Sequence, residues 1–357
     1  MNYVMHNLNY YATHPGNLMN SIFALEKELK KQGVGTVYVF PEQAAERYWV
    51  KEMIAQGATV YFKKMGKFQP GFFRRIIYKH DVRIIHTHFW DLPTCLTFRW
   101  IRLYKKHLKT VIHFHNPYPN SENRLKEIIK RFVLKSDAYI GCGKGIANEL
   151  KCQSFKNVFC VENAIDFSRL DTYTPVDKSA LGIGKEQKMF LIFGHDFHRK
   201  GADLAIDVLH DISKTNDVVL AMPLSENAPS IQKIRDTFGE IPAFIKILPP
   251  TNEIAAYYNA ADVFLSPSRS EGFCYAVLEA VYCGCYTIIS NIDGHATDIP
   301  QIATCVCDDK ISLKKQIIAI IEKEPDSNII LRQKEYVEEQ YSLKKWVDIV
   351  KKIYEQL

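Results

Sequence analysis

A chain of 357 residues has room for two domains of roughly 170 residues, each with its own core. It is 47% hydrophobic, has no apolar run of about 18 residues, and opens MNYVMHNLNYY with no basic segment ahead of an apolar one, so neither a membrane span nor a secretory leader is expected. The net charge of +6 hides an asymmetry: residues 1–163 hold 25 Lys+Arg against 12 Asp+Glu, the remainder 21 against 28, so the first half is expected to meet an anionic surface.

In chain order, Tyr3-Val4-Met5 reads as a short strand, followed by a polar and aromatic loop carrying His14-Pro15-Gly16-Asn17. Ile22, Leu25 and Leu29 give Leu18–Lys31 a helical period that Gly33 ends. Strand-like runs recur at Thr36–Phe40, Thr59–Phe62, Arg83–His86, Thr110–Phe114 and Ala138–Ile140, with helix-like segments between them. That alternation predicts a doubly wound parallel sheet. Asn157–Val161 leads to Glu162-Asn163-Ala164-Ile165-Asp166, and polar Thr172–Lys188 reads as a connector. A second series begins at Met189–Gly194 and continues with a helix from Ala202 and strands near Val218–Met222 and Phe244–Leu248. Lys314–Lys323 and Leu331–Gln340 read as helices. Tyr341–Leu357 reads as an amphipathic helix with Trp346, Ile349, Val350 and Ile353 on one face.

The most informative stretch is Ala261–Asp298. Val263-Phe264-Leu265 predicts a buried strand, Ser266–Gly272 a loop, Phe273–Cys283 a helix ended by Gly284, and Tyr286–Ile289 a second parallel strand. A loop that opens a helix at the carboxyl end of a parallel strand is where ligands sit, and the helix N-terminus offers backbone N–H groups to an anion. Glu271 ends the loop. Glu279, eight positions on, is the only charge between Phe273 and Cys283. A buried carboxylate there needs a partner such as the vicinal hydroxyls of a ribose; otherwise it faces solvent at the helix edge.

Two glutamates separated by seven residues, set in PSRSEGFCYAVLEAVYCG, resemble the donor-site signature of family 4 retaining glycosyltransferases. The flanking AADVFLSPS and the loop at Gly294 with Asp298 fit as well, although the family's Gly-Gly is Asp293-Gly294 here and its Glu is Asp298. The resemblance implies the GT-B fold, two Rossmann-like domains facing across a cleft, with the C-terminal helix crossing back to the first domain. It implies residues 1–165 plus helix 341–357 as the acceptor-binding domain, and 166–340 as the donor-binding domain. Glu279 would hold the ribose and Glu271 the donor sugar's hydroxyls, aided by backbone N–H groups of Gly272, Phe273 and Cys274.

His195–Gly201 joins a strand to a helix, and its Arg199-Lys200 suits a leaving diphosphate, which needs charge neutralisation. Lys200 matches the family's diphosphate-binding Lys before Gly201. The Arg usual after the strand's Gly is His195 here, and Arg199 would supply the second cation. His115, directly after a predicted strand, matches a family His that lines the transferred sugar. Gly16 matches a Gly that lets the backbone approach donor phosphate and acceptor. His86 and His88, and likewise His113 and His115, are two apart and share a face while in strand. His86, His88 and His113 are read as hydrogen-bonded strand-end residues rather than metal ligands, since no Asp-X-Asp occurs in the sequence. The reaction is therefore expected to need no metal.

No cofactor is expected either: Gly141-Cys142-Gly143 lacks the dinucleotide spacing. The nine cysteines include Cys283/Cys285 and Cys305/Cys307, too close in sequence for zinc pairs, and read as reduced thiols of a cytoplasmic protein. Two acid-free stretches, Met53–His80 and Leu92–Ser121, mix Lys and Arg with aromatics. They point to an anionic membrane surface, with the protein peripheral on its inner face, or else to ordinary solvated helices. The expected function is sugar transfer from a nucleotide-diphospho-sugar to a glycan or lipid-linked acceptor in cell-surface polysaccharide assembly. A non-catalytic accessory subunit of the same fold is the alternative. Nucleic acid is not an expected partner, because no motif for it occurs.

Overall fold

The computed structural model describes residues 2–119 and 122–357. They form two compact units: one of residues up to Ala164 together with Leu343–Leu357, the other Ile165–Ser342. In the first unit the order is β1 (Tyr3–Leu8), α1 (Gly16–Lys31), β2 (Gly35–Pro41), α2 (Tyr48–Ala55), β3 (Thr59–Lys63), α3 (Pro70–Lys79), β4 (Val82–His88), α4 (Leu92–Arg102), β5 (Lys109–Phe114), α5 (Arg124–Val133), β6 (Ala138–Gly141), α6 (Lys144–Cys152) and β7 (Val158–Cys160). The second unit runs α7 (Ser168–Asp171), β8 (Lys188–Ile192), α8 (Ala202–Ile212), β9 (Val218–Pro223), α9 (Pro229–Phe238), β10 (Ile245–Leu248), α10 (Ile254–Ala260), β11 (Val263–Ser266), α11 (Tyr275–Tyr282), β12 (Tyr286–Ser290), β13 (Ala303–Cys305), α12 (Lys310–Glu322) and α13 (Ser327–Gln340). The last helix, α14 (Leu343–Glu355), belongs to the first unit, where it packs on α1.

Both sheets are parallel, in the orders β3-β2-β1-β4-β5-β6-β7 and β10-β9-β8-β11-β12-β13. Helices cover both faces, which is why a strand such as β2 is buried from Thr36 to Pro41 instead of alternating. Each sheet has a separate core on either side. Met189, Leu191 and Phe264 face one and Phe190, Ile192 and Leu265 the other, as a two-residue period dictates. The apolar stripe of α14, with Trp346, Val350 and Ile353, joins the core that includes Leu18, Ile22 and Leu25 of α1.

Five helix starts differ from the sequence expectation: α1 begins at Gly16 rather than Leu18, α14 at Leu343 rather than Tyr341, and α11, α12 and α13 differ for reasons visible in the structure. Cys274 stays extended and its amide donates to Gly294 O at 3.0 Å, so α11 begins at Tyr275 rather than Phe273. Helices α12 and α13 begin four residues earlier than periodicity alone indicates. Asp309 and Asp326 cap them through their side chains, and a cap adds no apolar signal.

The two acid-free stretches also change character. Phe73 is fully buried, and Lys105 is paired with Asp81 at 3.4 Å. Ser121, the end of the second stretch, lies outside the described residues. Large exposed apolar side chains gather instead on α4 with its following turn (Trp100, Leu103, Tyr104) and on α5 (Ile128, Ile129, Phe132), two helices in contact. No helix among the described residues is long and apolar enough to cross a membrane.

Candidate active site

A parallel sheet opens a crevice where its strand order reverses, because the loops from neighbouring strands leave to opposite faces. In the second unit that point lies between β8 and β11. Three loops meet there: Phe193–Gly201 after β8, Pro267–Cys274 after β11, and Asn291–His295 after β12. Two glycines allow it. Gly201 has φ +68°, and a Cβ on it would lie 2.1 Å from Pro267 O; a Cβ on Gly294 would lie 2.1 Å from Glu271 O. Backbone bonds then tie the loops: Arg269 N to Arg199 O at 2.8 Å, and Cys274 N to Gly294 O at 3.0 Å.

This clamp carries Glu271, whose side chain is 7% exposed, onto two cations. Lys200 Nζ is 2.6 Å from Oε1 and Arg199 Nη1 is 2.9 Å from Oε2. The Ser268 hydroxyl donates to Oε1 at 3.0 Å, and Arg199 Nε also donates to Asp196 at 2.6 Å. Burial raises the Glu271 carboxyl, but Lys200 and Arg199 outweigh it and hold the group ionised, below its ordinary range. His195 is lowered by burial and by the same two cations. Beside this group stands the N-terminus of α11, capped by no side chain, so the positive end of the helix is aimed at the same place.

Behind Glu271 lies buried His295, which sequence reading missed. Its Nε2 is 3.1 Å from Ser266 Oγ and its Nδ1 is 2.8 Å from Ser290 O. Glu271, Cys274 and His295 offer ligand atoms within 4.8 Å of one another, but Lys200 already occupies the Glu271 carboxylate, so a metal there would compete with an ammonium.

Glu279 faces inward, not to solvent: it is 7% exposed. The Arg169 guanidinium pairs with its Oε1, and the Tyr258 hydroxyl is 3.4 Å from Oε2. Arg169 was also not foreseen. It sits on the one-turn helix α7, 110 residues away in sequence, and the one available signal was that a buried carboxylate requires a cation or donors from somewhere. Of the backbone N–H groups expected to aid the donor, that of Cys274 is not available, since it donates to Gly294 O at 3.0 Å. Two other sites expected from sequence, Gly16 and His115, lie in the first unit. Gly16 opens α1 with φ +61°. Half-buried His115 follows β5, its ring 4.5 Å from that of Phe89 and its Nε2 3.1 Å from His88 Nδ1.

Two family models match the chain: glycosyltransferase family 4 over residues 20–169 and glycosyl transferases group 1 over residues 174–337. The chain is a family 4 glycosyltransferase. A glycosyltransferase of Haemophilus influenzae with no assigned role is 24% identical over 202 residues, 55% of this chain and 54% of that protein, so the match spans about half the relative's length. The capsular polysaccharide biosynthesis glycosyltransferase CapH of Staphylococcus aureus is 22% identical over 253 residues, 68% of this chain and 69% of that one. Among solved structures, Anabaena HepE in complex with UDP superposes with a TM-score of 0.79 over all of both chains at 12% identity, a likeness of fold. This glycosyltransferase thus has the two parallel-sheet domains of the GT-B class.

Proposed function

We propose that this glycosyltransferase moves a hexosyl group from a nucleotide-diphospho-sugar to a glycan or lipid-linked acceptor, with retention, in the assembly of a cell-surface polysaccharide. The observation that carries the reading is the buried Glu271 held by Lys200 and Arg199 at the reversal point of the second sheet. A leaving nucleoside diphosphate accumulates negative charge. Two cations already fixed in place, next to an uncapped helix N-terminus, stabilise it without reorganising at the moment of reaction. Glu271 orients the cations and contacts the donor sugar's hydroxyls, and Glu279, steadied by Arg169 and Tyr258, takes the ribose. HepE, of the same fold, has been crystallised with UDP-glucose, which supports a donor of this class.

The acceptor is assigned to the first unit, where His115 lines a pocket of about 330 Å3 that shares Phe89 with one of about 460 Å3 formed by residues 9–13 of the loop leading to Gly16. The exposed apolar side chains of α4 and α5 lie among Arg99, Arg124 and Lys126. Their proposed partner is an anionic membrane surface, held by insertion of the apolar groups and attraction of the cations. The kinship with CapH supports the polysaccharide setting.

The test is to incubate the purified protein with a panel of sugar nucleotides and follow release of the nucleoside diphosphate. One donor, or one small group of donors, is expected to be hydrolysed slowly without acceptor. If every sugar nucleotide is left intact and none binds, the enzyme reading falls and the accessory-subunit reading replaces it.

A further inference from the structure

Five histidines crowd one face of the first sheet at the carboxyl ends of β1, β4 and β5. Parallel pairing sets His6 beside His86 and His88 beside His113, and residues two apart on a strand share a face. The rings therefore stack, with centroids 4.1 Å apart for His86 and His88 and 4.2 Å apart for His113 and His115. Sequence reading took His86, His88 and His113 as hydrogen-bonded strand-end residues. For His88 that is correct: its Nε2 meets His6 Nδ1 at 3.2 Å and its Nδ1 meets His115 Nε2 at 3.1 Å. For His113 it is not. Neither of its ring nitrogens has a hydrogen-bond partner among the described residues, although the side chain is fully buried. An imidazole always presents a donor and an acceptor, and leaving each unmet in the interior costs about 1–3 kcal/mol. An apolar residue would fill the position without that cost, so the imidazole asks for a partner that is not a side chain.

We propose that His88, His113 and His115 bind one divalent transition-metal ion of the zinc type. One nitrogen from each lies within 4.8 Å of the other two. The 3.1 Å between His88 Nδ1 and His115 Nε2 is close to the roughly 3.3 Å edge of a tetrahedron with metal–nitrogen bonds of about 2.0 Å. An all-imidazole set favours Zn2+, Co2+ or Ni2+ over Mg2+ or Ca2+, which want oxygen. The bond between His6 and His88 Nε2 is the outer contact that fixes the ring of a ligating histidine. The pocket of about 330 Å3 beside His113 and His115 gives the ion a way in and leaves its fourth position open. All three ligands belong to the first unit. Only the site's consequence for activity rests on the role proposed for His115: an ion held by that ring withdraws it from the sugar, so loading inhibits transfer.

Full-length protein stripped with EDTA is titrated with Zn2+ by calorimetry and with Co2+ by visible absorption. One equivalent is expected, with the bands of a four-coordinate nitrogen site, no response to Mg2+, and the same result after Cys152→Ser and Cys160→Ser remove the exposed thiols. His113→Ala and the better-packed His113→Gln, each checked for folding, are expected to weaken binding by at least about tenfold. No saturable binding, or binding that folded His113 variants leave unchanged, overturns the site and makes the five rings a packed aromatic stack in which His113 carries its unmet nitrogens. Donor hydrolysis without metal binding sinks this inference alone; metal binding by a protein that, when stripped of metal, neither hydrolyses nor binds any donor sinks the transferase reading alone.

Discussion

The two sheets reverse their strand order at equivalent points, between β1 and β4 and between β8 and β11, yet furnish those points differently. At the second, the polar groups ride on loops: Lys200 and Arg199 meet Glu271, and two glycines let the loops touch. At the first, they stand on the strands themselves, five neutral imidazoles in a ladder set by register. Loops tolerate charge because water reaches part of each group, as at Arg199, whose side chain is 39% exposed. Strand positions covered by helices do not, and they accept only a side chain that can be neutral. The contrast separates an electrostatic site from a coordinating one.

The largest expected effect breaks the charged side of that contrast. Lys200→Ala and Glu271→Ala should each lower transfer turnover roughly 10²–10³-fold, measured with the donor the panel identifies, because each removes or misplaces a cation facing the leaving diphosphate. Wild-type turnover in both would remove the second unit's reversal point from the mechanism. Next comes Arg169→Ala. It strips the buried Glu279 of its ion-pair partner and should cost about 1–3 kcal/mol in denaturant unfolding, with a raised KM for the donor. An unchanged KM would detach Glu279 from the ribose.

A smaller effect concerns the first unit's surface. Ile128→Glu with Phe132→Glu, both exposed, should reduce co-sedimentation with anionic vesicles while donor hydrolysis in solution stays as it was. High salt should weaken the wild type's binding too, since the Debye length falls to about 3 Å at 1 M. Equal recovery of variant and wild type would leave α4 and α5 without a membrane role. The smallest is a pH effect on Glu271. Its folded carboxyl titrates below its ordinary value, so it stabilises the fold above that value and loses this contribution as pH falls through the folded one. Between about pH 5 and about pH 3 the wild-type Tm should therefore fall more steeply than that of Glu271→Gln; parallel curves would mean that the ion pairs add nothing to stability.

Much of this was already readable in the residues. The β-branched runs marked nearly every strand and the apolar runs and helical periods marked α1, α8, α11, α12, α13 and α14, since burial on two faces and an apolar stripe are written locally. The loop-to-helix stretch with Glu271 and Glu279 marked the candidate site for the same reason: its elements are contiguous. What only the tertiary structure decided is partnership. That Glu279 meets Arg169, that Glu271 meets both Arg199 and Lys200, that Gly294 must lack a side chain because Glu271 O lies beside it, and that His6 joins four other histidines are contacts between segments far apart in the chain. A sequence carries the need of a buried charge or imidazole for a partner, because desolvation imposes it everywhere. It does not carry the partner's address, because strand order and loop approach are set by the packing of the whole sheet.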